Sequence, residues 1–542
     1  MVVADKFTAT VKKLTVAQDA LPRKLHPLTA PMRITERRCP MAHIKIDPSI
    51  VKPLHESNPM MMSYNVEFTE VTGGTFWKEY TPGQIAGTEP FVLDLSSGNF
   101  MEIQKGMMQY YPPVDLYNSR IRKLAKAFGP AWIRVSGTWA TKTYYDFDGT
   151  TDGVAPEGFD SVLTKQQWIG VLDFVKAVGG KLLVSVSNCE GIHTAEEPWN
   201  PSEAEKLFGF SKGYGVPILA AEFMNEPNMM ATSGGPKGYT AEHFVRDQDI
   251  FFAWVRANYP ECQLVGPCGN AEASEESKAR TGGIAKLFSL ATADDLLRGS
   301  KEPLDVYSYH AYNGISERLA PMLPHMHWDP EKVTSEEYLN SAIDSAIRTI
   351  PTKEKYCPGG EIWVTESGDA GAGGNTWAST YLDVLRTLNE LGGFSKATRG
   401  IIFHNTLASS DYGFLKHGTF DPRPNYFAVL LWNTLVGTTV YDCGIPLEEG
   451  AHVFCQSRKD GKEGFVYLAI NNSKTETTTV ELAAPALRYT LDGGDNMRST
   501  VMYLNGKPLT LGEHDELPEM VGEPVAAGTV ELAPGSCTFF VI

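Results

Sequence analysis

Residues 361–374 read EIWVTESGDAGAGG, and the first eight of them decide the fold. EIWVTESG is apolar and β-branched without a helical period, and Gly368 stops it. A run of this kind is a strand covered on both faces. Seven more segments share its texture: MMSYNVEF (61–68), AWIRVSG (131–137), KLLVSVSN (181–188), AAEFMNEP (220–227), CQLVGP (262–267), VYSYHAY (306–312) and GIIFHNTLA (400–408). Helical patterns stand between them, among them LYNSRIRKLAKAF (116–128), TKQQWIGVLDFVKAVGG (164–180) and STYLDVLRTLNELGG (379–393). The pairs Gly179–Gly180 and Gly392–Gly393 fall where those helices are expected to stop. Eight strands alternating with helices predict an α/β fold, the (β/α)8 TIM barrel with its parallel sheet.

Past residue 436 the pattern changes. GFVYLAINNS (464–473), TTTVELA (477–483), LRYTLDGG (487–494), STVMYLNGKPLTL (499–511) and GTVELAPGSCTFFVI (528–542) are alternating strands with turn signals, and 504–507 is an expected hairpin. This predicts an additional β-sandwich domain over 436–542. The strand-like MRITERRCPMAHIKID (32–47) precedes the first barrel strand and is expected to complete that sandwich. The chain thus divides into an N-terminal extension (1–30), strands joining the sandwich (31–58), the barrel (59–435) and the sandwich. An insertion at about 69–114 follows the first barrel strand and carries Phe76, Trp77, Tyr80, Tyr110 and Tyr111. On a barrel it falls on the catalytic face, either as a wall of the substrate pocket or as packing on the rim.

Composition narrows the function. The 542 residues carry a formal charge of -17, which argues against a nucleic-acid partner and against a highly sulfated polyanion as preferred substrate. No apolar run approaches the length of a membrane span. The N-terminus, MVVADKFTATVKKL, lacks the apolar core of a signal peptide, so the expected location is the cytoplasm or a chain whose signal is missing. Eight cysteines are scattered without a CxxC pair, and Cys443, Cys455 and Cys537 lie in one region where a pair could form. His325 and His327 form an HMH triplet with no evident third ligand, so neither metal nor cofactor is expected. Asn471 begins a sequon that matters only in a secreted protein. Nothing in the sequence sets the oligomeric state.

Two carboxylates close barrel strands: Glu226 the fourth and Glu366 the seventh. Active sites of such barrels form where strands end, so both side chains should enter one pocket. Glycoside hydrolysis needs such a pair: one carboxyl protonated to release the leaving oxygen, the other ionised to attack the anomeric carbon or activate water. Asn225 directly precedes Glu226, and an amide there can bond a sugar 2-hydroxyl. Glu222, earlier in the strand, has a structural reading. Arg134, buried in the second strand, is expected to brace the carboxylates.

NEPN (225–228), YHAYNG (309–314) and WVTESGDAGAGGNTWAS (363–379) together resemble the heparanase and β-glucuronidase family, glycoside hydrolase family 79, as do RKLAKAFGPAWIRVSGTWATKTYYD (122–146) and FDPRPNYFAVLLWNTLVGT (420–438). The resemblance covers about residues 60–435 and continues more weakly through the sandwich. It implies a retaining cleavage of β-linked glucuronic acid, with Glu226 as acid/base and Glu366 as nucleophile. It implies substrate contacts from Asn225, from Glu67 (with Asn65 competing), from Thr138, and from Tyr412. It gives Tyr312 a place beside the nucleophile. It also gives Gly373 and Gly374 a role as amides for the uronate carboxylate, and consecutive glycines do let N–H groups converge on an anion. His310 and Asn188 are further candidates. The chain departs from the family at Gly371, where a tyrosine is common, and at Ser136, where a glycine pair precedes the threonine.

The leading expectation is an exo-β-glucuronidase. An endo-acting heparanase-like hydrolase and a non-catalytic carbohydrate-binding relative are the alternatives. In each case the partner is a carbohydrate, with no nucleic acid and no membrane.

Overall fold

The computed structural model describes residues 42–96, 100–230, 232–272 and 290–542; the extension 1–30, residues 32–41 and Cys39 lie outside them. Eight parallel strands close a barrel: β1 (Met62–Glu67), β2 (Trp132–Ser136), β3 (Lys181–Ser185), β4 (Ile218–Glu222), β5 (Gln263–Asn270), β6 (Val306–Tyr312), β7 (Glu361–Gly368) and β8 (Ile401–His404). β8 pairs with β1 to complete the ring, Ile402 opposite Met62.

Alternation within each strand explains why all eight read as apolar. Outward residues such as Tyr64, Val66, Ile133, Val135, Leu182 and Val184 join the large core beneath the helices. Inward residues form a separate plug of Trp132, Leu183, Ala220, Val265, Val306, Trp363, Ile401 and Phe403, with the Trp132 and Trp363 rings 5.1 Å apart. Toward the strands' C-terminal ends the inward positions turn polar, with Asn65, Glu67, Arg134, Ser136, Ser185, Glu222, Ser308 and His310 all buried. An apolar floor therefore carries a polar layer beneath the barrel mouth. In β7 the pairing passes from Tyr309 opposite Val364 to His310 opposite Glu366, skipping Thr365. That bulge turns Glu366 inward where strict alternation from Trp363 would have turned Thr365.

The second domain is two antiparallel-rich sheets. A three-stranded sheet holds His43–Ile46, Thr478–Leu482 and Gly528–Leu532; a nine-stranded sheet includes Lys52–Glu56, Val436–Asp442, His452–Arg458, Phe465–Ile470, Ala486–Asp492 and Cys537–Val541. The segment preceding the barrel thus gives one strand to each sheet. Tyr467, Ala469 and Phe540 point between the sheets. Their neighbours Val466, Leu468, Ile470, Phe539 and Val541 join the barrel's outer core. Burial on both faces makes FVYLAI and CTFFV nearly continuous apolar runs. The hairpin at 504–507 forms, with Asn505 and Gly506 at positive φ as a type I′ turn requires.

One expectation is corrected and two open readings are narrowed. Gly179 ends its helix in the left-handed conformation, but the helix Leu382–Ala397 runs straight through Gly392 and Gly393. A side chain on Gly392 would strike the Phe454 ring of the sandwich, and one on Gly393 would strike Ile343. These glycines let the helix approach its neighbours. All seven described cysteines are free, including Cys443, Cys455 and Cys537. Asn471 is buried and donates to the carbonyls of Glu476 (2.9 Å) and Leu532 (3.0 Å), so its amide is closed to a glycosyl group. No described helix is long and apolar enough to cross a membrane.

The insertion folds into a hairpin, Gly74–Trp77 against Met108–Tyr111, with the helices Pro82–Ala86 and Phe100–Met107 between its strands.

Candidate active site

Arg134 organises the polar layer. It is wholly enclosed, and its Nε and Nη2 donate to Glu222 Oε1 (3.0 and 2.6 Å). Nη1 donates to Glu366 Oε1 (3.0 Å), and Nη2 also donates to Asn225 Oδ1 (2.7 Å). Glu222, the last residue of β4, also accepts from Ser136 Oγ (2.7 Å) and from Cys268 Sγ (2.9 Å). Burial, then the charge of Glu222, pushes the Cys268 thiol up, so it donates as S–H. A buried cation fixed by a buried carboxylate sets geometry more than it adds stability. Here the geometry transmitted is that of Glu366 and Asn225.

Glu366 has both oxygens held. Arg134 takes Oε1, and Tyr312 Oη donates to Oε2 at 2.7 Å. Burial alone would raise this carboxyl. The charges of His310 and Arg134 and the Tyr312 bond outweigh burial and hold it below the usual carboxylate range, as an anion. Tyr312 is fixed in turn by Asn405, whose Nδ2 donates to Tyr312 Oη (2.9 Å) and to Tyr412 Oη (3.2 Å). Asn65 Nδ2 orients Asn405 through its Oδ1 (3.1 Å).

Glu226 lies beyond the end of β4 rather than in it. It adopts the left-handed conformation, φ 45°, and caps the short helix Pro227–Met229. Its N–H donates to the Cys268 carbonyl (3.1 Å), and its own carbonyl accepts from Ser233 Oγ (2.9 Å). A non-glycine residue held in this region by its surroundings is typical of a working site.

His310 stands between the two carboxylates. Its Nε2 lies 3.5 Å from Arg134 Nη2. Nδ1 faces Glu226 Oε1 at 3.2 Å and Glu366 Oε2 at 3.5 Å. One donor atom each from Glu226, His310 and Glu366 lies within 4.8 Å of the others, the single such group among the described residues. Two carboxylates and an imidazole are a conceivable cation site. However, Arg134 and Tyr312 already occupy both Glu366 oxygens, and the guanidinium charge opposes a cation there.

The remaining candidates sort by contact. Glu67 ends β1 opposite Ser136, and its Oε2 is buried without a partner. Burial, reinforced by the nearby Glu366 charge, raises it well above the carboxylate range, so it is a neutral acid beside Glu366. Gly137, at φ 99°, is required there because a side chain would strike Glu67 Oε2. Thr138 opens the short helix after β2 and is half-buried. Tyr412 joins the cluster through Asn405. Gly373 and Gly374 follow β7 at φ 87° and 82°, with Gly373 against Trp77 and Ser410 and Gly374 beside Asp369 and the Tyr412 backbone. Gly374 N–H is already donated to the Ala370 carbonyl (3.2 Å), so it is not a free anion donor. Asn188 is spent within the protein: Oδ1 on His193 and Nδ2 on Met224 Sδ (3.2 Å). His325 and His327 lie in the loop after β6, with His327 Nδ1 on the Ile315 carbonyl (3.1 Å). Asn405 was missed in sequence. It sits in an apolar run without a motif, and its partners Asn65 and Tyr312 lie far away in the chain.

No family model matches the chain. By sequence it is similar to heparanase-like protein 2 of Arabidopsis thaliana, 24% identical over 493 residues covering 79% of this chain and 85% of that protein. It is also similar to baicalin-β-D-glucuronidase of Scutellaria baicalensis, 26% identical with 79% and 83% covered. By structure it resembles a 4-O-α-L-rhamnosyl-β-D-glucuronidase from Fusarium oxysporum, with a TM-score of 0.58 over 92% of this chain and 100% of that one. At 12% identity that likeness is one of fold.

Proposed function

We propose that this protein is a retaining glycoside hydrolase that releases terminal β-linked glucuronic acid. One observation carries the reading: Glu226 and Glu366 bring carboxylate oxygens within 4.8 Å of each other across His310, and Glu366 is held ionised. Retaining enzymes place their carboxyls about 5–5.5 Å apart, whereas inverting enzymes leave about 6.5–9.5 Å for a water.

In the first step a Glu366 oxygen attacks the anomeric carbon as the glycosidic C–O bond breaks, and Glu226 gives its proton to the departing oxygen. In the second, water attacks the same carbon, Glu226 takes the water's proton, and Glu366 leaves as carboxylate. Arg134 and Tyr312 keep Glu366 anionic and aimed. The Asn225 amide, with Oδ1 fixed on Arg134, presents Nδ2 as its donor end, suited to a 2-hydroxyl. Neutral Glu67 can donate to a sugar oxygen without adding a second charge.

Glucuronide as substrate rests on the relatives' names and on the glycine loop, in which Gly373 rather than Gly374 supplies the amide. The insertion supports the exo reading, because it docks across the loops after β6, β7 and β8. Hydrolysis of an aryl β-D-glucuronide, followed by proton NMR of the first-formed anomer, tests the proposal. The β anomer is expected. An α anomer would exclude retention, and turnover of aryl glucosides or xylosides alone would exclude the uronide. Products from long glucuronate-containing chains separate exo from endo action. Ligand binding without turnover would favour the carbohydrate-binding alternative.

A further inference from the structure

One buried side chain that the proposed chemistry does not use ties together the loops around the site. Arg318, in the loop after β6, is wholly enclosed. Its Nη2 donates to the Lys78 carbonyl of the insertion (2.5 Å) and to Asp411 Oδ2 in the loop after β8 (2.6 Å). Its Nη1 donates to the carbonyls of Gly374 (2.8 Å) and Ala372 (3.2 Å) in the glycine loop. The guanidinium lies over the Tyr80 ring at 3.8 Å. Tyr80 repeats the pattern: its N–H donates to Asp411 (3.3 Å), and its single hydroxyl proton is shared between Glu317 Oε2 (3.0 Å) and the Gly374 carbonyl (3.2 Å). Asp411 N–H donates to the Gly373 carbonyl (3.2 Å).

The carbonyls of Ala372, Gly373 and Gly374 therefore all face this hub. In a peptide unit C=O and N–H point in opposite directions, so turning the carbonyls inward directs the Gly373 amide away from the hub. Trp77 packs on Gly373, with its Cβ 2.6 Å from where a glycine side chain would begin. Asp411 is followed by Tyr412, which Asn405 links to Tyr312 and so to Glu366.

We propose that Arg318 is a positioning residue for the sugar pocket. It sets the spacing between the insertion wall, the glycine loop and Tyr412 without touching the substrate. The proposal rests on Glu226 and Glu366 being the reacting pair, not on which sugar they cleave. Only a planar fork of several donors reaches this many carbonyls. Lysine offers a compact charge and cannot reproduce it.

The test compares Arg318→Lys and Tyr80→Phe with Arg488→Ala, a control at the exposed Arg488–Glu523 pair of the sandwich (3.0 Å). Each variant is first checked for wild-type cooperative unfolding. kcat and KM are then measured on the aryl glycoside that the wild type hydrolyses best, and D-glucuronate affinity is read by intrinsic fluorescence. Arg318→Lys is expected to raise KM and weaken glucuronate binding by about tenfold to a hundredfold, with kcat within about threefold and the acid limb of the pH profile unmoved. Tyr80→Phe should shift the same constants less, and Arg488→Ala none. Unchanged KM and affinity in folded Arg318→Lys, or a fall in kcat alone, would overturn the proposal. If Arg318→Lys does not fold, Tyr80→Phe decides by the same criterion. Lack of wild-type turnover on every glycoside would count against the hydrolase reading alone, and the binding comparison would still judge Arg318.

Discussion

Replacing Tyr312 by phenylalanine removes its hydrogen bond to Glu366 and the one it accepts from Asn405. The phenol donates to Glu366 Oε2 at 2.7 Å, and a bond to an ionised group of this kind contributes about 1.5–3 kcal/mol. At about 1.4 kcal/mol per pKa unit, the Glu366 carboxyl should rise by about 1–2 units. Tyr312 is one of three groups that lower it; His310 and Arg134 remain, so the shift is partial. The nucleophile must be ionised to attack, and activity is lost as pH falls through its pKa. The acid limb of kcat/KM, which reports the free enzyme, should therefore move up by about 1–2 pH units in Tyr312→Phe. Above that limb the rate should change less, because the bond is present before and during attack. The assay is kcat/KM for an activated aryl glycoside across the stable pH range, with unfolding checked at each pH. An acid limb within about 0.3 units of wild type would refute this shift, and with it the role of Tyr312 in holding Glu366 ionised.

Three further outcomes follow from the same geometry. Glu226→Gln should lower kcat by about 10²–10⁴-fold on substrates with poor leaving groups and far less on activated aryl glycosides; equal losses on both would remove Glu226 from the acid role. Glu70 is buried in the short helix Phe68–Thr72 that follows β1, and burial raises its carboxyl to about 8. The folded protein thus binds this proton more tightly than the unfolded chain, so its contribution to stability is full below about pH 4.5 and is lost as pH rises to about 8. Glu70→Gln should match wild-type unfolding free energy in acid and exceed it above pH 8 by up to about 5 kcal/mol; a pH-independent difference would contradict that. Gly392→Ala should destabilise by about 1–3 kcal/mol through the clash with Phe454, although helix propensity alone would gain about 1 kcal/mol. A raised Tm would show that the helix contact is loose.

The barrel was legible because every one of its strands is buried on both faces, so the sequence shows short apolar runs that helices separate. Glu226 and Glu366 were legible from their place near strand ends, and Arg134 from being a charge inside an apolar run. What could not be read are features set by chain-distant neighbours. The glycines at 392 and 393 look like a helix stop and instead accommodate Phe454 and Ile343. The bulge that turns Glu366 inward depends on pairing with β6. Asn188 has the right residue type at a strand end, yet His193 and Met224 use up its amide. Arg318 and Asn405 act on groups that only the closed barrel brings near.

The most direct measurement is covalent trapping. A 2-deoxy-2-fluoro-β-glucuronyl fluoride slows the second step more than the first, so the sugar should accumulate on the nucleophile. Peptide mass spectrometry is expected to locate one adduct, on Glu366 within the segment 361–374. An adduct on Glu226, or turnover of the reagent without any adduct, would contradict the double displacement through Glu366.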